Sequence, residues 1–242
     1  NVAIGLNAMR LMDDTADGLA DCIAIGHEAF KGSATATTTG ANGTVAIGKS
    51  ALAGLTSGAG NLAIGYQSLL ALSSGNYNTC IGYSSGDSIS NGGFNTALGF
   101  ETLISEDAGA SNTALGYKSL RSLNNNTGLN TAVGAQAGLS MTTGYLNTVI
   151  GNDAAKLLTT GTSNTILGAR AFAAADGVEK NNIIIGTDAG SSINNEKTEG
   201  NVAIGNDALV GGTGGLLDNI AIGRNALNST AGNNQTGSIA IG

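Results

Sequence analysis

The sequence is poor in the residues that build large cores and charged sites. Among its 242 residues there is no proline and no tryptophan, and only one is histidine, two are cysteine, five are tyrosine and four are phenylalanine. Charged residues make up 11% of the chain and the net charge is −7. A nucleic-acid binder needs a basic stripe that displaces counterions, so this charge excludes that class. The chain also has no apolar run of about 20 residues, and we expect no membrane insertion by this segment.

The shortage of titratable side chains argues against catalysis. His27 is the single histidine, and no serine has a plausible general base beside it in the sequence pattern. Asp13, Asp14 and Asp17 form an acidic cluster, but their spacing matches no calcium loop. We therefore expect no enzyme, no catalytic residue, no bound metal and no cofactor.

The sequence is rich instead in a repeat that closes with glycine. The string NTALGYKSL begins at Asn112, NTALGFETL begins at Asn95 and NLAIGYQSL begins at Asn61. Fourteen copies cover the chain at intervals of 17 to 22 residues, from Gly5 to Gly242. Such a period is typical of a linear array in which each unit packs on its neighbours. We predict a single β-roll repeat domain over residues 1–242 and expect it to be a fragment of a longer fibrous protein.

Positions counted from the closing glycine, which is position 0, predict a short strand. Position −1 is Ile, Leu or Val, position −3 is Thr, Val, Ile or Leu, and position −2 is mostly Ala. These residues favour a strand, and alternation places −1 and −3 on one face and −2 on the other. Both faces are apolar, but only one can point into a narrow roll. The other face requires a partner, most simply another copy of the chain.

The rest of each copy is predicted to form a second, more exposed strand or bend that returns through a glycine at position −7. Asparagine occupies position −4 in eleven of the fourteen copies. One asparagine suits a turn, whereas a file of them can stack so that each amide bonds its neighbours along the axis. We predict a structural ladder formed by Asn61, Asn78, Asn95, Asn112, Asn130, Asn147 and Asn164.

The strings NVAIG, NLAIGYQSL and NTALGYKSL resemble the β-roll repeats in the heads of trimeric autotransporter adhesins, whose core reads N-S-V-A-I-G-x-x-S. The longer rung of this chain is similar to the shafts of phage tail fibres and related bacterial surface fibres. The resemblance covers the whole chain. It implies an all-β fold, a left-handed parallel β-roll (β-solenoid) of about fourteen rungs of 17–22 residues, assembled as a parallel homotrimer.

The trimer implied by the resemblance requires one strand face at the threefold axis. We assign the bulky −1 residues to the interior of the roll and the small −2 residues to the axis, where three chains approach closely. The predicted trimer-interface residues are Ala63, Ala97, Ala114, Ala132, Ala203 and Ala221.

Two further columns are candidates for binding. Position +1 is aromatic in four consecutive copies, and these candidate receptor contacts are Tyr66, Tyr83, Phe100 and Tyr117. They either stack on sugar rings of a receptor or form a ladder that stiffens the roll, and we favour the ladder. Position −3 is threonine in six consecutive copies, from Thr79 to Thr165. A threonine file can indicate ice binding, which needs a flat, exposed array of two columns. We rank ice binding last, because the −1 residues on that face are expected to be buried.

The sequence therefore favours a structural or adhesive segment of a trimeric extracellular fibre. The fibre would belong to a phage virion, as a tail fibre, or to the bacterial cell surface, as an adhesin. We expect it to display or contact a host-cell receptor, a surface glycan in preference to a protein. A purely structural fibre spacer without a ligand is the alternative.

Overall fold

A computed structural model describes residues 1–11, 19–32, 40–195, 197–212, 214–229 and 233–242. Within these ranges the regular secondary structure consists of β-strands, and there is no helix. The chain divides into two compact units. Unit 1 comprises Asn1–Leu115 and Asn124–Thr127, and unit 2 comprises Gly116–Leu123 and Gly128–Gly242.

Unit 1 is a parallel β-solenoid in which each strand spans positions −3 to −1 of one copy. Neighbouring strands pair in chain order and in register, so Thr79 pairs with Thr96 and Thr96 pairs with Thr113. The strands are β1 (Val2–Ile4), β2 (Ile23–Ile25), β3 (Val45–Ile47), β4 (Leu62–Ile64), β5 (Thr79–Ile81), β6 (Thr96–Leu98) and β7 (Thr113–Leu115).

Unit 2 repeats this architecture and adds a small second sheet. Its main parallel sheet contains β8 (Thr131–Val133), β9 (Thr148–Ile150), β10 (Thr165–Leu167), β11 (Ile183–Ile185), β12 (Val202–Ile204), β14 (Ile220–Ile222) and β16 (Ile239–Ile241). The second sheet pairs β13 (Leu216–Leu217) with β15 (Gln235–Thr236), also in parallel. In both units the repeats are the rungs of a parallel β-solenoid, which confirms the predicted fold class.

In most of the rungs that the structure describes in full, positions −2, +3, +4 and +7 line the interior. In the rung of Gly65, Ala63, Ser68, Leu69 and Leu72 are all fully buried. The turn after the closing glycine lies close against the strand. The Ser68 hydroxyl at +3 donates to the backbone oxygen of Cys80, the −2 residue of the next rung, at 2.9 Å. A small side chain at −2 suits such a short crossing. Where −2 is larger, at Val149, Ile166 and Ile184 of unit 2, position +3 of the same rung is alanine.

The predicted assignment of the strand faces is therefore wrong. The predicted trimer-interface residues are fully buried inside their own units, and they are Ala63, Ala97, Ala114, Ala132, Ala203 and Ala221. The physical reason is that the turns after the closing glycine fold back over the −2 face, as the hydrogen bond from Ser68 to Cys80 O shows. The bulky −1 and −3 side chains consequently lie on the outer face.

The residues directly after a closing glycine form a series of turns, and among the described residues a short second strand comes later in the copy only at β13 and β15 of unit 2. Position +2 and, in most rungs, position +4 adopt a left-handed backbone, as at Gln67 (φ 54°) and Leu69 (φ 50°). Ser68 N–H donates to Gly65 O at 3.4 Å and closes the first turn. A left-handed conformation costs a residue with a side chain about 1–2 kcal/mol. Burial of the +4 side chain, as at Leu69, offsets part of this cost.

One member of the +7 column is a carboxylate. Glu106 is fully buried at a position that holds Leu72 and Ile89 in other rungs of unit 1. Its Oε1 accepts hydrogen bonds from the N–H groups of Gly109 at 2.8 Å and Asp107 at 3.1 Å. Its Oε2 is buried without a hydrogen-bond partner. Burial raises the pKa of the Glu106 carboxyl above its usual range, although the backbone hydrogen bonds oppose the shift.

Replacing Glu106 with leucine is expected to stabilise unit 1 by about 1–3 kcal/mol at pH 8 and by less at pH 4. The folded state holds the Glu106 proton more tightly than the unfolded state. This contribution to stability is therefore complete below the ordinary carboxyl pKa and is lost as the pH rises through the raised pKa. Urea unfolding of both proteins at pH 4, 6 and 8 measures the difference. A stability difference that stays constant over this range would contradict the assignment.

Candidate interaction surfaces

The outer face of the main sheet in each unit carries the −1 and −3 columns. In unit 1, Leu98 is 42% exposed and Leu115 is 39% exposed, and in unit 2 Leu167 is 44% exposed. Parallel sheets are normally covered on both faces. Within each unit no other element of the described chain covers this face. It is therefore a repeated apolar surface, which we call the outer strand face, and such surfaces mark interaction sites.

The threonine column belongs to the outer strand face. Thr79, Thr96 and Thr113 pair in register in unit 1, and Thr131, Thr148 and Thr165 pair in register in unit 2. Each threonine is two residues before a −1 aliphatic side chain on the same face. The expectation that the −1 residues are buried is wrong, so the reason for ranking ice binding last is removed.

The aromatic residues at +1 form a stack. The ring centroids of Tyr66 and Tyr83 are 5.0 Å apart, those of Tyr83 and Phe100 are 5.2 Å apart, and both interplanar angles are 14°. Both faces of the Tyr83 ring are therefore covered by its neighbours. Lys49 Nζ lies 5.8 Å from the centroid of Tyr66 and approaches the outer end of the stack. The rings stack on one another, so mainly their edges are accessible to a ligand. This arrangement fits the ladder interpretation.

Tyr117, the fourth aromatic residue at +1, belongs to unit 2. It is exposed, and the ammonium group of Lys118 lies 5.0 Å from the centroid of its ring. This cation–π contact occupies part of the ring surface that a sugar would use. A role of the four +1 residues in receptor contact stays a prediction.

A second aromatic pair, at position −5 in unit 1, was missed by the sequence analysis. Tyr77 is 58% exposed and Phe94 is 62% exposed, and their ring centroids are 5.4 Å apart with an interplanar angle of 31°. Each residue lies at a bend with a left-handed backbone, at φ 56° and 60°. The available signal was their equal spacing before the −4 asparagines of consecutive copies.

The −4 asparagines form the predicted ladder inside each unit. Asn78 Nδ2 donates to Asn61 Oδ1 at 3.1 Å, and Asn95 Nδ2 donates to Asn78 Oδ1 at 3.2 Å. Asn78 Nδ2 also donates to the backbone oxygen of Gly92 at 2.9 Å. In unit 2 the same bonds join Asn130, Asn147, Asn164, Asn182, Asn201 and Asn219. The ladder has a structural role, since these side chains are buried and hydrogen-bonded to one another.

The cavities have few features of a binding or catalytic site. A shallow cavity of about 580 Å³ in unit 1 is lined by Arg10, Lys31 and Gly54 among others. Another, of about 510 Å³ in unit 2, includes Lys180 and Glu199, which form an ion pair at 3.4 Å. Among the residues that the structure describes, no three histidine, cysteine or carboxylate side chains cluster as metal ligands.

The acidic cluster of Asp13, Asp14 and Asp17 lies outside the described residues. Both cysteines, Cys22 and Cys80, are free and buried. Burial raises the pKa of the Cys80 thiol to about 12, so this thiol is a poor nucleophile in the folded chain.

In the described part of the chain, no helix has the length and apolarity needed to cross a bilayer. When the chain is compared with protein-family models, with curated proteins and with solved structures, no match is found.

Proposed function

We propose that this chain is a structural and adhesive segment of a homotrimeric extracellular fibre, either a phage tail fibre or a bacterial surface adhesin. The observation that carries the proposal is the outer strand face, an apolar surface that recurs rung after rung in both units. Exposed residues such as Leu98 and Leu167 require a cover in water, and a surface with a constant period is matched best by another copy of itself. The number of copies and the extracellular setting come from the resemblance of the repeats.

The inverted faces change which residues meet the partner chains. The −2 alanines fill the solenoid, so the −1 and −3 side chains, such as Leu98 and Thr96, are the proposed contacts between chains. Burial of a leucine that is about 40% exposed contributes on the order of 1 kcal/mol per rung and per chain. Many rungs in series make this a strong interface.

Replacing Leu98 with aspartate is expected to dissociate the assembly while each solenoid stays folded. The aspartate would be desolvated next to its own copies, which is unfavourable for like charges. The measurements are light scattering for mass and circular dichroism for fold. Gln67→Asp is the control, because it adds the same charge at the polar +2 position. Equal masses for Leu98→Asp and Gln67→Asp would exclude the outer strand face as the interface.

The adhesive and spacer versions of this function differ in one property. An adhesive segment binds host-cell glycans or intact cells by itself, whereas a spacer only carries a distal binding domain. Binding of the assembled segment to cells supports adhesion. Absence of binding, together with binding by the full-length fibre, supports the spacer.

Ice binding is the second candidate, because the threonine column is partly exposed beside an aliphatic column, with Thr96 and Thr165 the most exposed. A parallel sheet that repeats Thr96 and Leu98 at the strand spacing of about 4.8 Å offers a regular array to ordered water. A trimer that buries this face cannot use it for ice. Thermal hysteresis and ice shaping by a monomeric chain would favour ice binding over the fibre segment.

A further inference from the structure

We propose that the −5 aromatic pair of unit 1, Tyr77 and Phe94, is a stacking site for a neutral pyranose ring of a glycan. This inference rests on the adhesive form of the proposed function and names both the place and the class of ligand. The sequence pattern indicated the +1 column as the candidate glycan contact. The proposed site is instead a pair of rings at the bend before the strand.

The two aromatic columns differ in the ring surface that they leave open. In the +1 stack, Tyr83 has a near-parallel ring on either side, at 5.0 and 5.2 Å. In the −5 column, one side of Tyr77 lies against Gly60, where an added Cβ would be 2.7 Å from the ring, and Phe94 lies on the other side. The next rung carries Ser111 at the same −5 position, where its N–H donates to Gly93 O at 3.0 Å, and a serine side chain is too short to cover an aromatic ring.

A ring bound on this side of Phe94 would lie at the level of the next rung. Consecutive rungs of a parallel sheet are about 4.8 Å apart, which is close to the separation of a stacked ring pair. A flat six-membered ring fits this space, and the apolar C–H face of a pyranose matches the face of Phe94. The site lies outside the strand, so covering the outer strand face with other chains does not require covering Phe94.

Neutral polar groups surround the pair. Asn76 is exposed, and its Oδ1 accepts a hydrogen bond from the Ala59 N–H at 2.9 Å, which holds the amide on the Gly60 side of Tyr77, away from the open side of Phe94. Ser111 is exposed and contributes a hydroxyl group. None of the residues at positions −6 and −5 of these four rungs is charged. At these positions an acidic sugar or a phosphate would meet no cation, whereas the hydroxyl group of Ser111 can donate to or accept from a hydroxyl group of a neutral sugar.

The test is binding of the full chain to an array of immobilised neutral and acidic oligosaccharides, with lactose and maltotriose as soluble competitors. The variants are Phe94→Ala, Phe94→Leu, which keeps an apolar side chain but removes the ring, and Tyr145→Ala as the control, because Tyr145 is an exposed aromatic residue outside both aromatic columns. We expect binding to neutral glycans that falls about tenfold or more in both Phe94 variants and stays within about twofold of wild type in Tyr145→Ala.

Several results would overturn the proposal: no neutral glycan bound by wild type, binding restricted to acidic glycans, binding that persists in Phe94→Leu, or equal loss in Tyr145→Ala. The molecular mass of the same samples shows whether the stacking site alone is wrong or the fibre proposal is wrong as well. A trimer that binds no neutral glycan removes the stacking site alone, while a stable monomer removes the fibre segment.

Discussion

Gly134→Ala is expected to destabilise unit 2 by at least about 3 kcal/mol. Gly134 closes its rung with φ 135°, a backbone conformation that residues with a side chain rarely adopt. A Cβ added there would lie 2.5 Å from the backbone oxygen of Gly151 in the next rung, and this oxygen cannot move without disturbing the ladder. Strain and clash therefore act together. Thermal and urea unfolding followed by circular dichroism measure the loss.

Gly237→Ala is the control for this prediction. Gly237 also has a left-handed backbone, at φ 66°, but an added Cβ would meet no atom within 4 Å. Its replacement is expected to cost only the conformational strain, about 1–2 kcal/mol. Equal effects of the two substitutions would mean that close stacking of the closing glycines does not stabilise the solenoid.

Asn147→Ala is expected to destabilise unit 2 by about 3 kcal/mol or more. Asn147 Oδ1 accepts from the N–H of Asn164 at 3.0 Å and from its Nδ2 at 3.1 Å. Asn147 Nδ2 donates to Asn130 Oδ1 at 3.2 Å and to Gly161 O at 2.8 Å. Alanine leaves several of these buried groups without a partner, and each costs about 1–3 kcal/mol. Denaturant unfolding and amide hydrogen exchange at Asn164 measure the effect.

Asn147→Asp sharpens this test. The carboxylate keeps an acceptor for Asn164 but loses the donor and adds a negative charge facing the oxygens of Asn130 and Gly161. We expect it to be more destabilising than alanine at pH 7 and to recover part of the loss when protonated at low pH. The control is Asn152→Ala, since Asn152 is exposed and its side-chain Nδ2 donates one hydrogen bond, to Ala135 O at 3.2 Å. A ladder variant that unfolds like the Asn152 variant would contradict the ladder's role.

The periodic features of the fold follow from the sequence because each rung uses the same contacts. The spacing from Gly65 to Gly82 and the asparagines at −4 predict parallel rungs, aligned strands and a side-chain ladder, all of which the two units contain. A column of identical residues has few arrangements in which every copy is satisfied. The register is therefore encoded directly.

The direction of the strand faces does not follow from the pattern. Both faces of a strand such as Thr96–Leu98 are apolar, so alternation cannot decide which one points inward. The decision depends on the face over which the turns after the glycine fold back. These turns use a left-handed backbone at residues such as Gln67 and Leu69, which have no sequence preference for it. The open ring face of Phe94 was equally hidden, because it depends on the side chains in neighbouring rungs.

The most direct test of the central claim, that copies of the chain cover the outer strand face, is the mass of the wild-type chain in solution. Sedimentation equilibrium over a hundredfold dilution is expected to give three times the 23.7 kDa of one chain at every concentration. A folded species that stays at 23.7 kDa would show that the outer strand face, including Leu98 and Leu167, is stable in water without a partner. That result would contradict the account.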